Sequence, residues 1–84
     1  MEIKILGTGC QKCKTLEKMT SEVVGENDYD ARISKVEDIM DIMNYGIIAT
    51  PGLVINEKVV ISGRLPSKEE IKTHLQKFIN GQES

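Results

Sequence analysis

Ile3-Lys4-Ile5-Leu6-Gly7-Thr8-Gly9-Cys10-Gln11-Lys12-Cys13 is the stretch on which the reading of this chain turns. Ile3 to Leu6, with Ile3 and Ile5 on one side, reads as a short β-strand, and Gly7-Thr8-Gly9 stops it with a flexible loop. The cysteines follow at once. Cys13, Leu16, Met19, Thr20, Val23 and Val24 then recur at spacings of three and four, with Lys14, Glu17, Lys18 and Glu22 between them. That is the apolar stripe and polar face of an amphipathic helix. Cys13 therefore points partly toward a core. Cys10 stands at or next to the N-cap, where the chain is still turning out of the loop, so its sulfur is expected to be the more exposed.

Cys10 and Cys13 are the only cysteines among 84 residues. A bond between residues this close closes a tiny loop and removes little entropy from the unfolded chain, so a structural staple is a poor explanation for the pair. Catalysis, redox sensing and metal binding remain. A thiolate, not a thiol, attacks a disulfide, and a helix N-terminus stabilises a thiolate through its free N–H groups and positive dipole end. Lys12 and Lys14 add nearby positive charge, Lys12 being the candidate for tuning the thiol. The pattern assigns Cys10 as nucleophile and Cys13, one turn later, as the resolving thiol that attacks the mixed disulfide. Soft-metal binding by the same two thiolates, or redox sensing without turnover, is the alternative.

Outward from the motif, Tyr29, Ala31 and Ile33 alternate with Asp30, Arg32 and Ser34 as a second strand would. Val36, Ile39, Met40 and Met43 repeat at helical spacing, Glu37 and Asp38 suit a first turn, and Gly46 suits a C-terminal stop. Leu53-Val54-Ile55 and Val59-Val60-Ile61 flank Asn56-Glu57-Lys58 as a hairpin, although Glu57 lacks the ease of glycine at positive φ. Ser67-Lys68-Glu69-Glu70 is a capping box, and Ile71, Leu75, Phe78 and Ile79 form the stripe of a last helix. The expected order is β-α-β-α-β-β-α: an α/β fold with a four-stranded mixed sheet flanked by three helices, one domain over 1–80 and a frayed tail over 81–84.

Composition removes several classes of function. Apolar residues make up 39% and charged residues 29%, with neither the poverty of a disordered chain nor a transmembrane run. A formal charge of -2, scattered lysines and only two tyrosines and one phenylalanine offer neither a basic stripe nor a stacking platform, so nucleic acid is not an expected partner. Nothing at the N-terminus reads as an export signal, which gives a cytoplasmic protein with no membrane partner as the expectation. His74 beside the last apolar stripe reads as structural, since no acid or metal cluster accompanies it. Met19, Met40 and Met43 read as core filling. Gly7-Thr8-Gly9 lacks the third glycine and the Lys-Ser/Thr ending of a phosphate loop. Ile47, Ile48 and Ala49 fit either the core or an apolar rim for a protein substrate.

Leu6 to Cys13 resembles the start of the small thioredoxin-like redox-active disulfide proteins of archaea and bacteria. Ala49-Thr50-Pro51-Gly52-Leu53-Val54-Ile55 resembles their second signature, and Ser62-Gly63-Arg64-Leu65-Pro66-Ser67 their lead into the last helix. The resemblance covers nearly the whole chain. It implies a thioredoxin or glutaredoxin fold, dithiol-disulfide exchange with protein disulfides, electrons from a thioredoxin-reductase-like donor or a reduced small thiol, and no bound cofactor; a monomer is the expected state. It also implies a cis peptide bond before Pro51, facing the cysteines, with Thr50, Pro51 and Gly63 contributing to substrate binding. The chain departs from ordinary thioredoxins in three places. No tryptophan precedes Cys10, Gln11-Lys12 replaces Gly-Pro, and the first strand offers Lys4 where thioredoxins keep a buried acid near the resolving cysteine.

Overall fold

The computed structural model describes residues 1–81. Seven elements follow in the expected order: β1 (Glu2–Leu6), α1 (Gln11–Glu26), β2 (Arg32–Val36), α2 (Ile39–Asn44), β3 (Gly52–Ile55), β4 (Lys58–Ser62) and α3 (Lys68–Ile79). The four strands form one mixed sheet in the order β2-β1-β3-β4. β1 runs parallel to β2, as a strand-helix-strand crossover requires, and antiparallel to β3, which pairs with β4 as a hairpin. Central β3 carries no charged residue, and all four of its residues are buried.

Strand alternation divides the core between the two faces of the sheet. Ile3 and Ile5 stand opposite Ile55 and Leu53 in the β1–β3 ladder, and these four pack with Leu16 and Val23 of α1 and Ile71 and Leu75 of α3. Leu6 and Val54 lie on the other face, covered by Ile42 of α2 and by Ile47. α1 and α3 thus share one face, and short α2 holds the other. The cysteine loop emerges from the end of β1, the strand buried between them.

Local chemistry explains the boundaries. Ser67 Oγ accepts from the Glu70 N–H at 3.1 Å, which starts α3. The reciprocal half of the capping box is absent, because the Glu70 carboxylate is engaged by the Arg64 guanidinium. The hairpin turn is Asn56-Glu57, with φ of 49° and 68°, and β4 begins at Lys58. Positive φ at two consecutive residues suits a two-residue hairpin turn. Here side chains hold it without glycine: Asn56 Oδ1 accepts from the Glu2 N–H at 2.8 Å, and Lys4 Nζ donates to Glu57 Oε1 at 2.6 Å.

Three expectations are corrected. β2 begins at Arg32 rather than Tyr29 and includes Val36, which was expected to open α2. Pairing sets this boundary, since Arg32 stands opposite Glu2, the first residue of β1. Met40 and Met43 are not core filling: they are 64% and 57% exposed, and Ile42 is the buried residue of α2. A helix of six residues meets the sheet along one narrow line, so its remaining apolar side chains face outward. Met19 does pack, partly buried, against the larger core. Of the tail expected over 81–84, Gly81 has positive φ and residues 82–84 lie outside the described residues.

Candidate active site

α1 starts at Cys10. That residue has extended backbone (φ -67°, ψ 164°), and its Sγ accepts a hydrogen bond from the Cys13 N–H at 3.2 Å, the place a serine or aspartate oxygen takes in an ordinary N-cap. The Cys10 carbonyl accepts from the Lys14 N–H at 3.0 Å. The first turn of α1 holds no acidic side chain, so no carboxylate there offsets the positive helix end, and Lys12 is exposed in the same turn. Cys10 is exposed while Cys13 is 5% exposed. The two are joined as a disulfide, with Cα atoms 5.0 Å apart.

Gly7 brings this pair against the second signature. A Cβ built at position 7 would overlap the Cys13 Sγ, stand 2.9 Å from the Cys13 Cβ, and lie 4.0 Å from the Thr50 Cβ. The empty side of Gly7 is therefore the space in which Cys13 and Thr50 approach each other. The Thr50–Pro51 peptide bond is cis, Pro51 is buried, and Thr50 is half-buried. Gly63, at φ 77°, donates its N–H to the Pro51 carbonyl at 2.9 Å and sits against Ala49, where a Cβ would fall 3.2 Å from the Ala49 Cβ. Cys10, Cys13, Thr50, Pro51 and Gly63 thus belong to one end of the sheet, linked through Gly7 and a backbone hydrogen bond.

Beside them lies an apolar groove of about 250 Å³, lined by Thr8, Ile39, Met43, Ile48 and Thr50, with Ile42 and Ile47 at its base. The two readings of Ile47-Ile48-Ala49 divide here: Ile47 is buried, and Ile48 and Ala49 are exposed. The contribution of Ile39 and Met43 to the groove escaped sequence reading, as did the role of Gly7. A glycine set between an apolar strand and a cysteine pair was the available signal for the latter.

Lys4 is placed away from the cysteines. Strand alternation sends it to the α2 face, where Nζ donates to Tyr45 Oη at 3.0 Å as well as to Glu57, and these bonds raise its pKa. The β1 residue beside Cys13 is Ile5. His74 is half-buried on α3, and its Nδ1 has no hydrogen-bond partner among the described residues. No group of three or more His, Cys, Asp or Glu converges among the described residues, and no helix there is long and apolar enough to cross a membrane.

The family model of the thioredoxin domain matches residues 1–76. This chain belongs to the thioredoxin domain family. A thioredoxin of Methanothermobacter thermautotrophicus is 44% identical over 72 residues, spanning 86% of this chain and 94% of the relative. A thioredoxin of Methanocaldococcus jannaschii is 38% identical over 79 residues, 94% of this chain and 91% of that one. A probable thioredoxin of Archaeoglobus fulgidus is 31% identical over 77 residues, 88% and 84% respectively. With Cys10 and Cys13 at disulfide distance, this thioredoxin-domain protein is a thiol-disulfide oxidoreductase. Such proteins act on protein disulfides and are served by reductases, and the exchange itself needs no bound cofactor.

Proposed function

We propose that this protein reduces or exchanges protein disulfides with Cys10 as the attacking thiolate and Cys13 as the resolving thiol. The observation that carries the assignment is the contrast within the pair: Cys10 is exposed at the N-cap of α1, and Cys13 is almost fully buried one turn later. The Cys10 thiolate attacks one sulfur of the substrate disulfide, forming a mixed disulfide and releasing the first substrate thiolate. Cys13 then attacks Cys10 Sγ, releasing the second substrate thiol and closing the Cys10–Cys13 bond. Two electrons pass to the substrate, and a thioredoxin-reductase-like donor or a reduced small thiol restores the dithiol. Positive charge at the helix start, with Lys12 in its first turn, favours the thiolate of Cys10.

Thr50, Pro51 and Gly63 form the substrate-binding edge, where an extended segment flanking the substrate cysteine lies along the Thr50 backbone, with the apolar groove beside it. Residues 1–80 act as one domain, a cytoplasmic monomer without a resident cofactor, serving electron transport and redox homeostasis. Trapping tests the roles: Cys13→Ser is expected to accumulate a mixed disulfide with an oxidised protein substrate through Cys10, and Cys10→Ser is expected to accumulate none. Trapping through Cys13 would reverse the assignment. Stoichiometric Cu(I) or zinc in protein purified under reducing conditions, without disulfide turnover, would favour the metal-binding alternative.

A further inference from the structure

We propose that Glu17, paired with Lys35 at the cavity behind Cys13, accepts the proton of the Cys13 thiol when Cys13 attacks the mixed disulfide. The inference rests on Cys13 being the resolving thiol and names the partner that step requires. A buried thiol has to lose its proton before it can displace another sulfur. Behind Cys13 the structure has a small cavity of about 60 Å³, room for a bridging water, bounded by Ile5 and Gly7 and by charged side chains. Those charges are Lys14 and Glu17 from α1, Lys35 from β2, and Glu37 from the segment after it; β1 contributes only apolar Ile5.

Two independent features single out Glu17. It follows Cys13 by four residues on α1, so the two side chains share a helix face. It also faces a cation across the cavity: Lys35 Nζ lies 3.9 Å from Glu17 Oε2, an ion pair longer than a hydrogen bond. Lys35 stands opposite Ile5 in the parallel ladder, on the α1 side of edge strand β2, and its half-exposed side chain reaches the cavity from the sheet edge. Lining the same cavity as Cys13, its ammonium pairs with the carboxylate and favours negative charge on the sulfur during attack. Glu37 is exposed and Lys14 carries no acceptor, which leaves Glu17 as the acceptor that is both positioned and partly withdrawn, at 36% side-chain exposure.

The step balances as follows. The Cys13 S–H bond breaks and its proton crosses to the Glu17 carboxylate. The Cys13 sulfur forms a bond to Cys10 Sγ, the Cys10–substrate S–S bond breaks, and the departing thiolate takes up a proton from solvent. Glu17 returns its proton to solvent through its exposed edge. Cys10 and Cys13 end oxidised and the substrate sulfur reduced.

Rapid mixing of the reduced protein with the small aromatic disulfide 5,5'-dithiobis(2-nitrobenzoate) separates the two thiols, since Cys10 attack releases the first coloured thiolate and Cys13 attack the second. Glu17→Gln is expected to slow the second phase at pH 7 about a hundredfold, at the low edge of what a positioned base contributes, and to leave the first phase unchanged. The deficit should close as pH rises and hydroxide deprotonates Cys13. Lys35→Met should also slow the second phase. A second phase unaffected by Glu17→Gln, slowed equally at all pH values, or slowed together with the first, overturns the proposal. Failure of the underlying reading looks different: the wild type would lack a second phase, or Cys10→Ser would retain the first.

Discussion

Gly7→Ala is expected to destabilise the protein more than an ordinary loop substitution, because the only place for a methyl group at position 7 is already filled by Cys13. The added Cβ would overlap Cys13 Sγ and stand 2.9 Å from Cys13 Cβ. Cys13 cannot swing aside into solvent, being 5% exposed in the first turn of α1. Nor can the loop retreat freely, since the Gly7 N–H is bound to the Val36 carbonyl at 3.0 Å. Overpacking costs about 1–3 kcal/mol, and a weakened backbone hydrogen bond about 1 kcal/mol more, giving roughly 2–4 kcal/mol. For a domain of this size that lowers Tm by roughly 10–25 °C. Urea unfolding of the reduced proteins, followed by circular dichroism, measures it. Gly25→Ala is the internal control: a Cβ there meets nothing within 4 Å inside α1, so about 0.5–1 kcal/mol of stabilisation is expected. In a Cys13→Ala background, without the sulfur, Gly7→Ala should cost clearly less. A cost within about 0.5 kcal/mol of zero, or an undiminished cost in that background, would refute the reasoning.

The turn and α2 give two further tests. The hydrogen bond from Lys4, with a smaller contribution from Tyr45, holds the Glu57 carboxyl below the usual carboxylate range. Its stabilisation is therefore complete above the unfolded-state pKa of about 4.3 and is lost as pH falls through the lower folded value. Thermal melts from pH 7 to pH 3 should show a smaller acid-induced loss for Glu57→Gln than for wild type; equal losses would contradict the role of this ion pair. Ile42→Ala should cost about 2–5 kcal/mol and Met43→Gln no more than about 0.5 kcal/mol, although both residues are apolar on the same short helix. Comparable losses in denaturant unfolding would contradict the placement of α2.

The element order and the position of the cysteine pair were legible because strong local signals carry them. Alternation at Ile3 and Ile5, the helical stripe through Leu16 and Val23, and the Ser67 cap each act within a few residues. What was misread depends on partners distant in sequence. Alternation runs through Tyr29 and Ala31, but pairing with Glu2 decides where β2 begins. Periodicity marks Ile39, Met40 and Met43 as apolar without telling which side of so short a helix meets the sheet, and Ile42 is the one that does. Glu57 tolerates positive φ beside Lys4 and Tyr45, residues 53 and 12 positions away. Lys4 was legible and misplaced: alternation already sets it opposite to Ile3 and Ile5, so it does not stand behind Cys13. Glu17 and Lys35 gave no motif, because the crossover from α1 to β2 is what brings them to one cavity.

The most direct test of the division of labour between the cysteines is the alkylation of the fully reduced wild-type protein by iodoacetamide as a function of pH, with each thiol quantified by peptide mass spectrometry. Cys10 should react first at every pH, with an apparent pKa well below the ordinary thiol value of about 8.5, and Cys13 slowly, with its pKa at or above it. Faster alkylation at Cys13, or indistinguishable pH profiles for the two thiols, would contradict the assignment of Cys10 as the attacking thiolate.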